Sequence, residues 1–373
     1  SLERVARLTG NWDDLDRAFA LQLDITHEDG ARAALLLERG ETALRRLQRP
    51  GEALAAAEEA DALIGDGEAL DRLIHLLESL LDHSDARLGA AALLEPRYAQ
   101  SQRWTDQIAA AQMQLTACES ATEAEDLARH VSELKEERIE DAMGALTVLI
   151  ETLERFPLLT GLRSSIDRLA SKTAGYRRVA TTLAGLIPGL EGEARVATEL
   201  WLGTIRHENL DDAQGAVLAL ESVVEQEPAH YQALGLLARI YDRAQDWEPL
   251  IATYERLSKV VGDGTERAAV LMRLALVLES RLEQFDRARS TCDEALSLDD
   301  SNAEALAMIE RIARNRQDFG ELDAALARRV KAASSDGDRL QLLLQRADNL
   351  LSNLDQSQEA LTLVEKAQGL ADT

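Results

Sequence analysis

The chain has 373 residues, of which 46% are hydrophobic, 29% charged and 3% aromatic, with six prolines and a formal net charge of −26. That acidity disfavours binding along a nucleic-acid backbone, which depends on clustered Lys and Arg, and so few aromatics leave little for base stacking. No stretch approaches eighteen uninterrupted apolar residues, so no membrane span is expected, and an abundance of Ala, Leu, Glu and Arg is helix-forming material.

In chain order, "SLERVARLT" (1–9) reads as the latter part of a first helix, so the chain is expected to start inside a structural unit. "TGNWDDLDRAFAL" follows, with Trp12 at the mouth of the next helix. Residues 31–63 read as a hairpin whose second helix is "PGEALAAAEEADAL". "GEALDRLIHLLESLLDH" (67–83) is one surplus amphipathic helix, and "DARLGAAALLEPRYAQSQRW" leads to Trp104 through Pro96, which is expected to bend or break its helix. "EDAMGALTVLIETLERF", "TAGYRRVATTLAG", "DDAQGAVLALESVVEQEP" and "AQDWEPLIATYERL" continue the series. "FDRARSTCDEALSLDDSN", "RQDFGELDAALAR" and "LDQSQEALTLVEKAQGL" complete it.

The anchors Trp12, Trp104, Tyr176, Trp247 and Phe319 are separated by 92, 72, 71 and 72 residues. Ten before each stands Leu2, Leu94, Ile166, Leu237 or Ile309, and six before stands Ala6, Tyr98, Ala170, Tyr241 or Ala313. A fixed period with matched anchors means stacked units, here four helices or two hairpins per period. The expected blocks are 1–66, 67–84 (the surplus helix), 85–157, 158–228, 229–300 and 301–373, all within a single array over 1–373.

Two stretches carry a family resemblance. "FDRARSTCDEALSLDDSNAEAL" has Ala288 and Ala295 in small-residue slots, with Asp300 where a proline is usual. "GAVLALESVVEQEPAHYQALGLLARIYDRAQDW" supplies Ala216, Leu220, Val223 and Pro228, then Leu234, Leu237, Ala238 and Tyr241. The chain resembles the tetratricopeptide repeat family, whose unit is a 34-residue helix pair. The resemblance implies an all-α fold, a right-handed α-solenoid of about ten antiparallel helix pairs without strands. It also implies that each anchor opens a second helix as a packing wedge between hairpins, broad face buried. Neither end carries an obvious polar cap, which fits a segment of a larger bacterial repeat protein.

The search for chemistry is negative. The sequence lacks a phosphate-binding glycine loop, His-Glu-x-x-His, Cys-x-x-Cys and Gly-x-Ser-x-Gly, so no catalytic residue, cofactor or small-molecule substrate is expected. His27, His75, His83, His130, His207 and His230 lack ligand spacing, and no metal site is expected. Cys118 and Cys292 lie in different repeats, too far apart to read as a disulfide framework. "HEDGAR", "GLEGEAR", "VGDGTER" and "SSDGDR" lack EF-hand spacing. They read as turns, with Gly in a left-handed conformation and a neighbouring Asp or Thr capping the next helix. No signal peptide is visible, which favours a cytoplasmic chain.

One recurrent charge stands out. Eight residues before four of the five anchors stands an arginine: Arg4, Arg168, Arg239 and Arg311. The resemblance implies that this slot lines a concave groove, and helical position alone adds Gln232, Asp242, Arg314 and Arg7 as secondary candidates. The family's lysine and asparagine carboxylate clamp does not carry over, because the comparable places hold Ser164, Gly235 and Ala307. Two readings of the arginines stay open: a grip on acidic or phosphorylated segments, or internal salt bridges to the neighbouring helix. The resulting expectation is a non-catalytic interaction module for a protein or peptide partner. The alternatives are a structural spacer or regulatory arm, or an enzyme subunit with its chemistry elsewhere.

Overall fold

The computed structural model describes residues 9–65 and 67–371, and over these the chain is an array of twenty α-helices without a strand. Leu2, Arg4, Ala6 and Arg7 lie outside the described residues. The chain folds as two compact units, residues 1–186 and 187–373. The first contains α1 (Trp12–Ile25), α2 (Asp29–Arg45), α3 (Pro50–Asp61), α4 (Glu68–Leu80) and α5 (Arg87–Gln100). It continues with α6 (Trp104–Ala117), α7 (Ala121–Arg138), α8 (Ala142–Arg155), α9 (Arg163–Thr173) and α10 (Tyr176–Leu186). The second contains α11 (Gly192–Glu208), α12 (Ala213–Gln226), α13 (Tyr231–Ala244), α14 (Trp247–Val260) and α15 (Gly264–Ser280). It ends with α16 (Phe285–Leu298), α17 (Ala303–Asn315), α18 (Phe319–Ala332), α19 (Asp336–Ser352) and α20 (Ser357–Ala371).

Ten tight turns define the hairpins. Each has one residue with positive φ two positions before a second helix: Gly10, Gln48, Gln102, Glu140, Ala174, Asp211, Gln245, Glu283, Gln317 and Asp355. Only one of the ten is glycine, although a left-handed residue with a side chain costs about 1–2 kcal/mol. Backbone bonding across the turn holds the conformation, and it comes in two alternating forms. After α5, α9, α13 and α17 the N–H reaches back five residues, as in Asp246 N to Tyr241 O at 2.9 Å. That is the Schellman closure of a helix end. After α2, α7, α11, α15 and α19 it reaches back six, as in Gln284 N to Leu278 O at 2.8 Å. Short and long first helices therefore alternate: α13 and α17 have 14 and 13 residues, α15 and α19 have 17 each.

The glycine-bearing turns differ from expectation. Of Gly30, Gly192, Gly264 and Gly337, only Gly192 is left-handed, at φ +55°. The other three sit in the first turn of the following helix, where φ is negative, and at Gly264 and Gly337 the residue at the N-cap supplies a side-chain cap. Asp263 accepts from Glu266 N at 2.9 Å and Ser335 from Asp338 N at 3.0 Å, each satisfying an N–H that has no partner within the helix.

Pro96 does not break its helix: α5 runs continuously from Arg87 to Gln100. Leu94 and Tyr98, on either side of the proline, are buried in the unit's core, and Arg97 is bound to Asp61 at 2.8 Å. These contacts outweigh the lost N–H bond. The surplus helix is present as α4, burying Leu73, Ile74, Leu76, Leu77 and Leu80.

Small residues let the paired helices approach. Gly40, Ser132, Gly203, Ala275 and Ala347 occupy one buried slot on the long first helices. A Cβ on Gly203 would lie 2.7 Å from Leu220 Cγ, and one on Gly40 would lie 2.8 Å from Leu76 Cδ2. The family-pattern residues behave accordingly: Ala216, Leu220, Val223, Leu234, Ala288 and Ala295 are all fully buried. Cys118 and Cys292 are buried free thiols, and burial pushes the Cys292 thiol up to about 12.

Candidate partner-binding face

All five anchors are the first residue of a second helix, where the chain emerges from a left-handed turn. Each is half-buried, and the broad faces of the tryptophans are covered by charge as well as by core. The guanidinium carbon of Arg46 lies 4.8 Å from the Trp12 ring centre, Arg138 lies 4.7 Å from Trp104, and Arg281 lies 5.2 Å from Trp247. Each arginine follows its tryptophan by 34 residues and ends a long first helix, where a cation also meets the negative end of the helix dipole. Tyr176 and Phe319 have Leu210 and Asn353 at that offset. The three tryptophan wedges are therefore clamps between aromatic and cation, a spacing visible in the sequence and missed there.

The arginine register falls on the exposed faces of the short first helices α9, α13 and α17. Arg168 donates from Nη1 and Nη2 to the two oxygens of Glu136 on α7, at 2.8 and 2.6 Å. Lys172 adds a third contact at 2.9 Å. Glu136 is only 12% exposed, and hydrogen bonds from the two cations hold its carboxyl at about 2. Arg311 repeats the arrangement with Glu279 on α15, Nε to Oε1 at 2.7 Å and Nη2 to Oε2 at 2.5 Å. The bond to Glu279 holds the Arg311 guanidinium above its ordinary value. Both pairs are forks, two parallel N–H···O bonds in the geometry that guanidinium and carboxylate share.

Arg239 is different. It is exposed, and among the described residues no carboxylate lies within ion-pair distance of it. Its hydrogen bond is a long one, Nε to Gly235 O at 3.5 Å, within its own helix. Gln232 and Asp242 are exposed on the same helix. Arg314 bonds Glu310 at 2.8 Å, and Arg329 from α18 reaches the same carboxylate. Sequence reasoning treated the arginines as equivalent; the offset of 32 residues that separates Glu136 from Arg168 and Glu279 from Arg311 distinguishes them.

Remaining polar groups have local roles. His230 Nδ1 accepts from Ala233 N at 3.3 Å as the cap of α13, and His75 lies 3.5 Å from Glu78. Among the described residues no three His, Cys, Asp or Glu side chains gather to hold a metal ion. No described helix is long and apolar enough to cross a membrane.

The tetratricopeptide repeat family profile matches residues 233–268, which span most of α13, all of α14 and the start of α15. Solved structures with similar features include MamA, 15% identical, over 46% of this chain and 94% of that one at a TM-score of 0.32. Another is the Cut9–Hcn1 hetero-tetramer of APC/C, 10% identical, over 100% of this chain and 86% of that one at 0.28. A third is the C-terminal part of a repeat-containing protein from Cytophaga hutchinsonii, 11% identical, over 82% of this chain and 98% of that one at 0.28. No curated protein matches the chain. The described residues thus form an all-α array of nine helix hairpins after α1, with the extra helix α4, and the profile match at 233–268 makes the array TPR-like.

Proposed function

We propose that this TPR-like array is a non-catalytic scaffold that seats a protein partner on the exposed face of its short first helices, around Arg239. The observation that carries the reading is the contrast within one register. Arg168 and Arg311 are satisfied internally by the largely covered carboxylates of Glu136 and Glu279, while Arg239 stands exposed on a chain of net charge −26 without one. An uncommitted guanidinium fork amid so much negative charge is a group available for recognition. Helical repeats tolerate such surface variation because each hairpin is stabilised mainly by its neighbours. The face includes Gln232 and Asp242, with Arg314 on α17 as a further position; Arg4 and Arg7 extend the same register by sequence.

Site-directed photo-crosslinking tests it. A benzoylphenylalanine at Gln232 in the full chain, expressed in its native cell, should give one crosslinked product of defined mass. The same residue at Leu218, 68% exposed on the second helix α12, should not. Equal labelling from both positions, or none from either, would support the spacer reading instead.

A further inference from the structure

The arginine register is a ladder with one rung missing. Thirty-two residues before Arg168 stands Glu136, and thirty-two before Arg311 stands Glu279. Both acids lie in the last turn of a long first helix, are 12% and 7% exposed, and bind their arginine through both oxygens. The same offset from Arg239 leads to His207, in the last turn of α11. A neutral imidazole offers one acceptor nitrogen and a protonated one offers none, so this residue type cannot supply the two parallel acceptors that the guanidinium fork takes elsewhere.

Resting on the scaffold reading above, we infer that Arg239 is a carboxylate-recognition site, filled by a glutamate or aspartate side chain from an acidic segment of the protein partner. The array itself shows what ligand the slot accepts, because at the two equivalent positions it provides that ligand from its own chain. The helix face is open one turn before Arg239: a Cβ built on Gly235 would meet nothing within 4 Å. Nearby Arg243 is committed to Asp211 at 3.4 Å, which leaves Arg239 as the uncommitted guanidinium of α13. The net charge of −26 opposes an acidic ligand at long range. The contact must therefore be short and geometric, as it is at the two occupied rungs.

The test uses the full chain and a fluorescent hexaglutamate peptide, with hexaglutamine as control, read by anisotropy at low salt. Wild type should bind hexaglutamate and not hexaglutamine. Arg239→Gln should weaken binding at least tenfold, the scale of one charge-assisted fork. His207→Glu should do the same by closing the rung from within, although it removes no binding residue. Gln214→Glu, which adds a charge on exposed α12, should leave affinity unchanged. Glu279→Ala should open a second rung at Arg311 and raise the stoichiometry from one peptide to two. Undiminished binding by His207→Glu, or a stoichiometry that stays at one in Glu279→Ala with helicity intact, overturns the inference. If crosslinking from Gln232 persists undiminished in His207→Glu, the scaffold stands and the rung falls. If the peptide results hold while no position crosslinks, the rung stands and the scaffold reading falls.

Discussion

Glu136→Gln keeps the shape of a side chain that accepts two cations and removes its charge. In the folded chain, hydrogen bonds from Arg168 and Lys172 hold the Glu136 carboxyl at about 2, against an ordinary 4.5. The folded form thus binds this proton less tightly than the unfolded one. The resulting stability is complete above the ordinary value and is lost as pH falls from 4.5 towards 2. That difference converts to about 3 kcal/mol. Arg168 and Lys172 are 54% and 57% exposed, however, and solvent screening reduces the figure to about 1–2 kcal/mol. Native-state hydrogen exchange of α7 and α9 measures it locally, and comparison of wild type with the variant at one pH cancels the intrinsic exchange rate. The variant should be less protected by that amount at pH 6, and the gap should shrink by more than half at pH 3. A gap that is constant with pH, or that widens on acidification, would refute the assignment of stability to the charged fork.

Trp247→Ala should cost about 2 kcal/mol, less than a fully buried tryptophan because its ring is half-exposed, and the loss of exchange protection should stay within α13–α16. Arg281→Ala should cost about 0.5–1 kcal/mol through the lost ring contact. Ala174→Gly should stabilise its hairpin by about 1 kcal/mol in urea titration, because Ala174 holds φ +54° with a Cβ. Cys292, buried and with its thiol pushed up to about 12, should resist iodoacetamide at pH 8 until the chain is unfolded, and mass spectrometry would show any early labelling.

Much of the fold was legible because periodicity records which residues face inward. Trp104, Tyr176 and Phe319 sit at helix starts as their spacing required, and the surplus stretch at 67–83 yields a helix. The turns were less legible. Left-handed residues were expected at Gly30, Gly264 and Gly337, yet the strain is borne by Gln48, Glu140, Gln245 and Glu283. Backbone bonds across each turn decide that conformation, and one-letter turn chemistry does not register them. Pro96 failed as a breaker because Leu94 and Tyr98 hold its helix against the core. The candidate site was half legible: the arginine column is periodic, but a column alone does not show which members already have a partner. That depends on residues 32 positions away on another helix, where Glu136, His207 and Glu279 differ by one letter each.

The alternation of five- and six-residue closures at successive turns sets how such a chain can be lengthened or shortened by duplication. Each occupied rung needs an acid at the end of a long first helix and an arginine on the short first helix that follows it. Losing a single hairpin would bring two first helices of one length together, so that either two arginine-bearing helices or two acid-bearing helices would be neighbours. Losing two adjacent hairpins would restore the alternation. The heritable module is therefore the pair of hairpins, about 72 residues, and the number of guanidinium rungs can change only by whole modules. A histidine in place of one glutamate, as at His207, then leaves a rung without its internal acid and does not disturb the count.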